Sequence, residues 1–595
     1  MVTLVTDSLK KPSLNDRDYR VLRLNNELEA LLMHDSETDK ASAALDGNVG
    51  YFSDESDISE PTSMNYFFDI SVKPDNGPDP SDTNPSPRSE ALDRFAQFFI
   101  EPLFLSETLD RELKAVDSEN KKSLQDDTWR LHQLEKSLSN PSDPFCQFST
   151  GNFEVLKTLS EARGIDVRDK SIAEPLDVLQ KWVAELFSPV VNMKLPPNRW
   201  PGELSFRESD LGMQCFAKPV MYWRELNLYF PFIDSLLRNI NNIDEEFMFA
   251  TQLSRYISHL IRHEGPGSIM SYIKSKGWAH GLSAGAYPVC PGTPGIFDVQ
   301  VRLTEDGLKN YPEIVKIFFQ SIALLRENPP QDRFTSRISS VMQKTLPRKW
   351  LLSGYSRLRE FAPDQIEKAL ATIRPDNFRM VIVSRSYPGD WDQKEKWYGI
   401  EYHHDKFPDD LMQECKKAFA VSLQDRLPTL HLPHQDQFIP NELEVEKQGV
   451  DEQALNPRVL RHDSNARTRW KKDDTFWVPR DNVIVSLKTP LFYASAENNV
   501  KARLFSDLVR DALEEYSYDA ELAGLQYNIS LDSRGLFLDV SGYNDKLPVL
   551  LDQIVTTMRD LDIKKYRFET VRERLTRGCN WQQQSSYHQV GDYTN

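Results

Sequence analysis

The order of its predicted elements constrains the fold of this 595-residue chain more than any other feature. Apolar residues that alternate with period two predict strands, and apolar residues spaced by three and four predict helices. Strands and helices follow one another in the middle of the chain and again near its C-terminal end. The segments are IFDVQVRL at 296–303, PEIVKIFFQSIALLREN at 312–328 and FRMVIVS at 378–384, then VIVSLKTP at 483–490, a helix at 502–524, a hairpin at 525–543 and a helix at 547–561. This recurrence predicts an α+β fold of tandem homologous domains, each a mostly antiparallel sheet packed with helices.

Two polar stretches set the predicted domain boundaries. LPPNRWPGE at 195–203 is rich in proline, and the chain from 426 to about 472 lacks clear periodicity, which is typical of an extended connector. The predicted organisation is an N-terminal domain at 1–204, a second domain at 205–430, a connector at 431–472 and a third domain at 473–595.

Charge and cysteine usage exclude several classes of protein. A net charge of −18 and a pI near 5.2 argue against a nucleic-acid surface, and no dense Lys/Arg run with interleaved aromatics is expected to offer a local exception. An acidic chain is expected to bind neutral or basic ligands, including peptides. An odd number of distant cysteines supports neither a disulfide framework nor a metal site and favours a reducing compartment. No signal peptide or membrane span is predicted, so the expected location is the cytoplasm. The cysteines are Cys146, Cys215, Cys290, Cys415 and Cys579.

An acidic amphipathic helix is predicted over 106–136. On a helix of 3.6 residues per turn, Glu112, Val116 and Glu119 share one stripe, so two carboxylates point to the same side as a core-facing valine. Carboxylates in this position favour a nearby cation. Periodicity alone leaves a second interpretation open, in which both are solvated charges at the edge of the stripe or pair with nearby arginines.

A run of small residues, GLSAG at 281–285, allows another backbone to approach closely. Its composition is equally typical of a glycine-rich turn after KSKGW.

Several segments together resemble the insulinase (pitrilysin-type, inverzincin) family of zinc metallopeptidases. They are YRVLRLNNELEALLMHD at 19–35, ALDRFAQFF at 91–99, DRELKAVDSE at 110–119, HEGPGS at 263–268, EYSYDAELAGL at 515–525 and SGYNDK at 541–546. The resemblance implies four homologous α+β domains around a chamber for short peptides or pheromone precursors. This chain would then hold two domains and most of a third, with the fourth absent.

The resemblance also implies a zinc site. In the family an inverted His-X-X-Glu-His helix supplies two ligands and a general base, and a Glu on a later helix completes the site. The match assigns that third-ligand role to Glu119, with Glu112 behind it. None of the 11 histidines lies in the inverted motif, and only residues 59–63 stand where it belongs. The first domain is therefore expected to be incomplete, with no intact catalytic set and no stable zinc.

The resemblance further implies that GLSAG is a short edge strand of the second domain, which pairs with the amino end of a substrate peptide through main-chain contacts. The residues assigned to this contact are Leu282, Ser283, Ala284 and Gly285.

Other histidines are predicted to be structural or merely exposed. His132 begins HQLEK, in which Lys136 replaces the second histidine of the inverted motif and would repel a metal. His259 and His263 lie one turn apart, yet the family uses HEGPGS to end a helix. His403-His404 and the pair His431 and His434 are given the same interpretation.

Three functional hypotheses follow. The first is a zinc endopeptidase that cuts short peptides, which the residues contradict. The second is a non-catalytic peptide-binding or regulatory homologue, acting as a homo-oligomer or paired with a complete homologue. The third is an incomplete gene model of an active protease. The sequence predicts membership of the protease family and catalytic inactivity of this chain.

Overall fold

The predicted α+β class is confirmed. The computed structural model holds 12 α-helices and 17 strands within the described residues. These residues are 2–9, 11, 17–35, 40–47, 64–71, 87–100, 106–148, 150, 152, 187–189, 204–232, 253–287, 295–328, 361–386, 388–445, 454, 456–475, 477–532 and 535–584.

The chain divides into two compact units, and each is assembled from three stretches of sequence. The first comprises Met1–His259, Ser283–Val301 and Leu325–Val421, and the second comprises Leu260–Leu282, Arg302–Leu324 and Ser422–Asn595. The domain boundaries predicted after residues 204, 430 and 472 stay predictions.

YRVLRLNNELEALLMHD alternates as paired strands do, with Asn25 and Asn26 suited to the turn, and the N-terminal strands of the first unit confirm this pairing. Strands β2 and β3 are antiparallel, and a turn closes them where the Leu24 amide donates to the Leu28 carbonyl at 2.9 Å. The pattern of SAALDGNVGYFSD predicts that the next strand extends this sheet, but β4 pairs with β5 in a separate two-stranded sheet. Helix α1 packs on these strands through Leu92, Phe95 and Ala96. The elements are β1 Thr3–Thr6, β2 Asp18–Arg23, β3 Glu29–His34, β4 Lys40–Gly47, β5 Met64–Ser71 and α1 Pro87–Ile100.

A seven-stranded mixed sheet dominates the first unit, with the strand order β11-β12-β6-β10-β7-β9-β8. Its middle strand β10 is buried along its whole length and runs parallel to β6 and antiparallel to β7. The strands are β6 Met213–Ala217, β7 Glu225–Phe232, β8 Ala279–Tyr287, β9 Gly295–Leu303, β10 Arg379–Val383, β11 Gln393–Lys394 and β12 Glu401–Lys406.

The helix predicted over 106–136 is wrong as a single element, because it breaks in two. Helix α2 ends at Ser123, and the Asp126 carboxylate caps α3 by accepting the amide hydrogens of Thr128 and Trp129 at 2.8 and 3.2 Å. A carboxylate satisfies helix amides that would otherwise lack partners, so Asp126 favours a new helix start. Helices are numbered in chain order throughout. These two and three further helices are α2 Ser106–Ser123, α3 Asp127–Ser137, α4 Leu253–Ile261, α8 Pro363–Leu370 and α9 Asp409–Phe419.

Helix α3 is fixed against the sheet by charged side chains. The buried Asp127 carboxylate accepts the amide hydrogens of Val220 and Met221 at 2.7 and 2.8 Å. The Arg130 guanidinium donates to the Tyr398 carbonyl at 2.8 Å. Leu134 adds an apolar contact in the core cluster that also holds Cys215 and other sheet residues. A helix encoded more than 70 residues before the sheet is thereby part of the sheet's own core.

Arg379, the first residue of β10, closes the end of α3. Its guanidinium is buried and donates to the Glu135 and Leu138 carbonyls at 3.0 and 2.9 Å. It also lies 3.9 Å from the centroid of the Phe206 ring. The last carbonyls of a helix have no intrahelical donor, and a cation there opposes the negative end of the helix dipole. Arg379 therefore satisfies both the hydrogen bonds and the charge of this buried helix end.

The second unit is built on a three-stranded antiparallel sheet in the order β15-β17-β16. The long helix α10 and helix α11 pack on it through Leu513, Leu550 and Ile554, which share one core cluster with Leu538. The predicted hairpin and both helices are confirmed. The elements are α5 Ile269–Ser275, α6 Glu305–Lys309, α7 Tyr311–Glu327, β13 Arg458–His462, β14 Arg467–Trp470, β15 Arg480–Lys488, α10 Ala496–Leu522, β16 Gln526–Asp532, β17 Gly535–Tyr543, α11 Leu547–Arg559 and α12 Lys565–Gln584.

An ion network joins three helices of the second unit. The Asp511 carboxylate of α10 is almost fully buried, and it pairs with Lys274 of α5 at 3.3 Å and with Arg567 of α12 at 3.1 Å. Lys274 also contacts Glu514, and Arg567 donates to the Asp511 carbonyl at 2.8 Å. A buried carboxylate needs such partners, so α10 is held between two cations.

Three further predictions differ from the structure. The connector predicted at 431–472 contains an antiparallel hairpin of β13 and β14. This hairpin gathers four arginines and Trp470, which is the local basic patch that the sequence was expected to lack. CNWQQQSSYHQVGDYTN at 579–595 has no pattern that predicts a closing element, but α12 continues to Gln584. The amphipathic pattern of DVLQKWVAELFSPV predicts a helix at 177–190, which lies outside the described residues except for 187–189.

Replacing Arg379 with Met should lower the free energy of unfolding by about 3 kcal/mol, because two buried carbonyls lose their donors and a buried charge network loses its cation. Urea unfolding followed by circular dichroism measures this change. Arg374→Met is the control, since that guanidinium is half exposed and pairs with Asp376 at 2.8 Å. It should cost less than about 1 kcal/mol. Equal losses in the two variants would contradict this role of Arg379.

Candidate functional site

Strand β8 lies at one edge of the seven-stranded sheet, as the edge strand predicted from GLSAG requires. The strand covers Ala279–Tyr287, so the turn interpretation of this segment is wrong. Leu282 and Ala284 are buried, whereas Ser283 is exposed and Gly285 is half-buried. This alternation is typical of a strand with one face on a core. An edge strand leaves main-chain groups along one side available to an added strand.

Two polar residues of β9 lie beside this strand. The Ser283 hydroxyl donates to the Gln300 side-chain oxygen at 3.3 Å. A Cβ atom placed on Gly285 would lie 3.6 Å from an Asp298 carboxylate oxygen, which is ordinary van der Waals contact. Burial raises the pKa of Asp298 to about 6. The strand therefore carries small side chains on the side that a half-buried carboxyl group flanks.

The last residue of β8 is tied to helix α3. The Tyr287 hydroxyl donates to a Glu135 carboxylate oxygen at 3.0 Å. Burial raises the pKa of Glu135 to about 7, although the Arg379 cation opposes that shift. Burial, and then the Glu135 charge, raises the pKa of Tyr287 well above its ordinary value. The hydroxyl therefore stays a donor at neutral pH and holds the end of β8 against α3.

Glu119 and Glu112, the predicted zinc ligand and its supporting carboxylate, both lie on α2. Leu113 and Asn120 are buried and Val116 is half-buried, whereas Glu119 is exposed at the edge of that stripe. Its main-chain oxygen accepts a hydrogen bond from Ser123. The side chain of Glu112 lies outside the described residues. The roles assigned to both carboxylates stay predictions.

The donor set does not fit a catalytic zinc ion. Zinc in peptidases needs three protein ligands and a free position for water. The sequence contains no His-X-X-Glu-His segment. Over the ranges that the structure describes, no three His, Cys, Asp or Glu side chains are grouped so that they could hold a metal.

The remaining histidines lie in separate environments. His132 packs edge-on against Phe145, and burial lowers its pKa to about 4 with the nearby Lys136 cation adding to the shift. In the second unit His263 accepts the Gly265 amide hydrogen at 3.1 Å and lies 3.5 Å from Asp519. These contacts are those of structural histidines.

His403 is hydrogen-bonded to Asp392 at 3.1 Å. The rings of His431 and His434 have centroids 4.6 Å apart, in a segment that lacks regular secondary structure. Neither contact brings in further metal-ligating side chains among the described residues.

Family models match most of the chain. Insulinase (peptidase family M16) matches residues 63–142, the peptidase M16 inactive domain matches 249–340, and the middle or third domain of peptidase M16 matches 325–595. The chain belongs to the insulinase family of peptidases. The family predicted from the sequence motifs is confirmed, and strand β8 lies within the match to the inactive domain.

Relatives with assigned names support the same family. Human insulin-degrading enzyme is 32% identical over 671 residues, covering 99% of this chain and 62% of that enzyme. The A-factor-processing enzyme of Saccharomyces cerevisiae is 31% identical over 667 residues, covering 98% and 62%. A zinc-protease candidate of Schizosaccharomyces pombe is 34% identical over 655 residues, covering 96% and 64%. The chain spans less than two thirds of the length of these insulinase-family relatives.

A solved structure supports the fold. The crystal structure of pitrilysin superposes with a TM-score of 0.69 at 19% identity, covering 97% of this chain and 66% of that chain. None of the helices that the structure describes is long and apolar enough to cross a membrane.

Sequence reasoning missed the polar cluster behind β8. It noted Glu135 only as part of HQLEK and named neither Tyr287 nor Arg379. The sequence carries no signal for this cluster, because polar residues at helical spacing usually lie on an exposed face. Only the structure shows that α3 buries Asp127, Arg130 and Glu135, whose polar groups then need partners.

Glu135→Gln should change how stability depends on pH. The folded-state pKa of about 7 exceeds the ordinary value of 4.5, so ionisation increasingly destabilises the native state as pH rises from about 4.5 to about 7. Glutamine cannot ionise, and its oxygen still accepts the Tyr287 hydroxyl. As pH rises from about 5 to about 8, the parent chain should lose on the order of 3 kcal/mol of unfolding free energy through this group, and the variant should not.

Urea unfolding at the two pH values measures this difference. Glu208→Gln, which changes an exposed carboxylate in the same unit, should show the pH dependence of the parent chain. A Glu135→Gln curve parallel to the parent curve would refute the buried, proton-binding state of Glu135.

Proposed function

We propose that this chain binds extended peptides along the edge of β8 and does not itself hydrolyse them. The observation that carries the proposal is the position of GLSAG at a sheet edge with small side chains, in a chain whose described residues offer no zinc-binding set. An extended peptide can add a strand to such an edge through main-chain hydrogen bonds, which tolerate many sequences. The ligand class is therefore defined by conformation rather than by side-chain chemistry.

The surroundings of β8 support this function physically. A strand that accepts a peptide must be held in register before binding, because ordering it afterwards lowers affinity. The Ser283–Gln300 hydrogen bond holds its middle, and the Tyr287–Glu135 hydrogen bond holds its end. The roles of Leu282 and Ala284 are to anchor the strand by their buried side chains while their backbones stay part of the edge.

The family relation supports a peptide ligand. Whether the chain hydrolyses that ligand depends on its own residues. The relatives are named for insulin degradation and A-factor processing. Without two histidine ligands and a general base, one exposed carboxylate such as Glu119 lacks the coordination that holds catalytic zinc and activates water. We propose that the family's hydrolytic chemistry is absent from this chain.

A reducing compartment, with the cytoplasm as the proposed location, suits the thiols that the structure describes. Cys215 and Cys415 are both buried. Burial raises the pKa of the Cys215 thiol to about 12, so it stays protonated and unreactive.

Supplying zinc should not produce peptidase activity. The purified chain, incubated with zinc and then desalted, should retain far less than one metal per chain by atomic emission and should not cleave a quenched fluorogenic peptide. Glu119→Gln should behave like the parent chain in both assays. One zinc per chain, with cleavage that a chelator abolishes and Glu119→Gln weakens, would overturn the proposed inactivity.

Peptide binding at β8 should follow the two-residue period of a strand. The probe is a fluorescein-labelled neutral peptide of nine residues, the length of β8. Methylation of one backbone nitrogen at a time removes one donor, so affinity should fall about two- to tenfold at alternate positions and stay unchanged at those between. Fluorescence anisotropy measures the affinities. Equal tolerance at every position would refute main-chain pairing.

Protein variants provide the matched test. Ser283→Thr keeps both the main chain and the hydroxyl that donates to Gln300, so it should bind the nine-residue peptide like the parent. Successive amides of a strand point to opposite sides, so of Ser283→Pro and Ala284→Pro one should lose peptide binding and the other should lose stability. Unchanged binding in both proline variants would exclude this edge as the site.

A further inference from the structure

The hairpin of β13 and β14 is exposed on both faces, unlike the other sheets of the molecule. Every residue of Arg458–His462 and Arg467–Trp470 is exposed, including Val459, Leu460 and Trp470. A two-stranded hairpin without a covering layer gains little from apolar burial. Its residues are therefore available for contact with another molecule.

Local contacts hold this hairpin in one conformation. The Asp463 carboxylate accepts the amide hydrogens of Asn465 and Ala466 and pairs with Arg461 at 2.6 Å, which closes the turn. At its base Asp474 accepts the Ala454 amide hydrogen and pairs with Lys471, both at 2.6 Å. The hairpin is thus ordered before any partner binds, which lowers the entropy cost of binding.

Strand pairing distributes the arginines over two faces. Arg467 and Arg469 share one face of β14 with their pairing partners His462 and Val459. The opposite face carries Arg458, whose guanidinium lies 4.7 Å from the centroid of the Trp470 ring, together with Arg461. Within the described part of the chain, neither Arg467 nor Arg469 makes an ion pair, so both guanidinium groups are available to an anion.

The positive charge of the hairpin favours an acidic partner. Residues 458–472 contain six Lys and Arg and one Asp, a charge of +5, so the rest of the chain carries −23 within the total of −18. A long polyanion or an anionic membrane would extend past the hairpin and meet that negative charge. A short acidic peptide segment would lie within the Debye length of about 8 Å from the hairpin alone.

We propose that β13–β14 is a docking surface for a short, extended peptide segment that carries Asp or Glu at alternate positions. Residues two apart in a strand lie about 6.6 Å apart, so alternate carboxylates of an extended peptide match the spacing of Arg467 and Arg469. Arginine binds carboxylates through paired hydrogen bonds. The outer edge of β14, open in the described residues, offers main-chain groups for the same peptide.

The probes are two fluorescein-labelled peptides of about six residues with identical composition and charge. One alternates Glu and Thr, and the other has its Glu residues in one block. The full chain should bind the alternating peptide several times more tightly by fluorescence anisotropy, and added salt should weaken binding. Arg467→Glu combined with Arg469→Glu should weaken binding at least about tenfold, without changing the thermal unfolding midpoint.

The matched control combines Lys501→Glu with Arg559→Glu. Both side chains are exposed, and the net charge changes by the same amount. This control should keep the affinity of the parent chain, and Arg467→Lys with Arg469→Lys should bind between the two. If the control loses as much affinity as the hairpin variant, overall charge explains the effect and the proposal is overturned.

Competing partners are tested directly. A single-stranded oligonucleotide of equal charge, or vesicles containing phosphatidylserine, should bind more weakly than the alternating peptide. Tighter binding of either would overturn the assignment to an acidic peptide. The result is separable from the function proposed for β8, because the probe there is neutral and its binding should be unchanged in the Arg467→Glu and Arg469→Glu chain.

Discussion

A charged guanidinium that is removed from water needs acceptors on every side, and Arg379 obtains two of them from the end of helix α3. The helix end has the complementary requirement, since its last carbonyls lack donors. The exchange satisfies both groups and fixes α3 to the strand at the middle of the seven-stranded sheet. Asp127 and Arg130 extend the same kind of bond to the backbone around Val220 and Tyr398. The first unit is therefore held together by buried polar pairs as well as by its apolar core.

The proposed peptide-binding edge depends on that arrangement. Glu135 is buried because α3 is packed against the sheet. Its carboxyl group accepts a hydrogen bond from the Tyr287 hydroxyl at the end of β8. Burial also raises its pKa, which links the strand's anchor to pH. The proposed peptide contact at β8 therefore depends on side chains of α3 as well as on the strand itself.

Periodicity predicted most of the elements, because strand β10, helix α10 and the hairpin of β16 and β17 bury regular apolar patterns. It failed where local hydrogen bonds decide the structure. The carboxylate of Asp126 ends one helix and begins another within a continuous amphipathic pattern. The residues of the β13–β14 hairpin are all exposed, so no alternation of buried apolar residues predicts these strands. Of the candidate site, the sequence located GLSAG but not the polar groups behind it.

The sequence by itself determined the family, the α+β class and the lack of a His-X-X-Glu-His motif, since these depend on residues that are near one another in the chain. The tertiary structure alone decided that GLSAG forms a sheet edge and that Glu135 meets Tyr287 and Arg379. It also decided that Glu119 is exposed and that four arginines form one open hairpin. Contacts between residues more than 100 positions apart depend on how elements pack, and no local pattern specifies which side chains will meet.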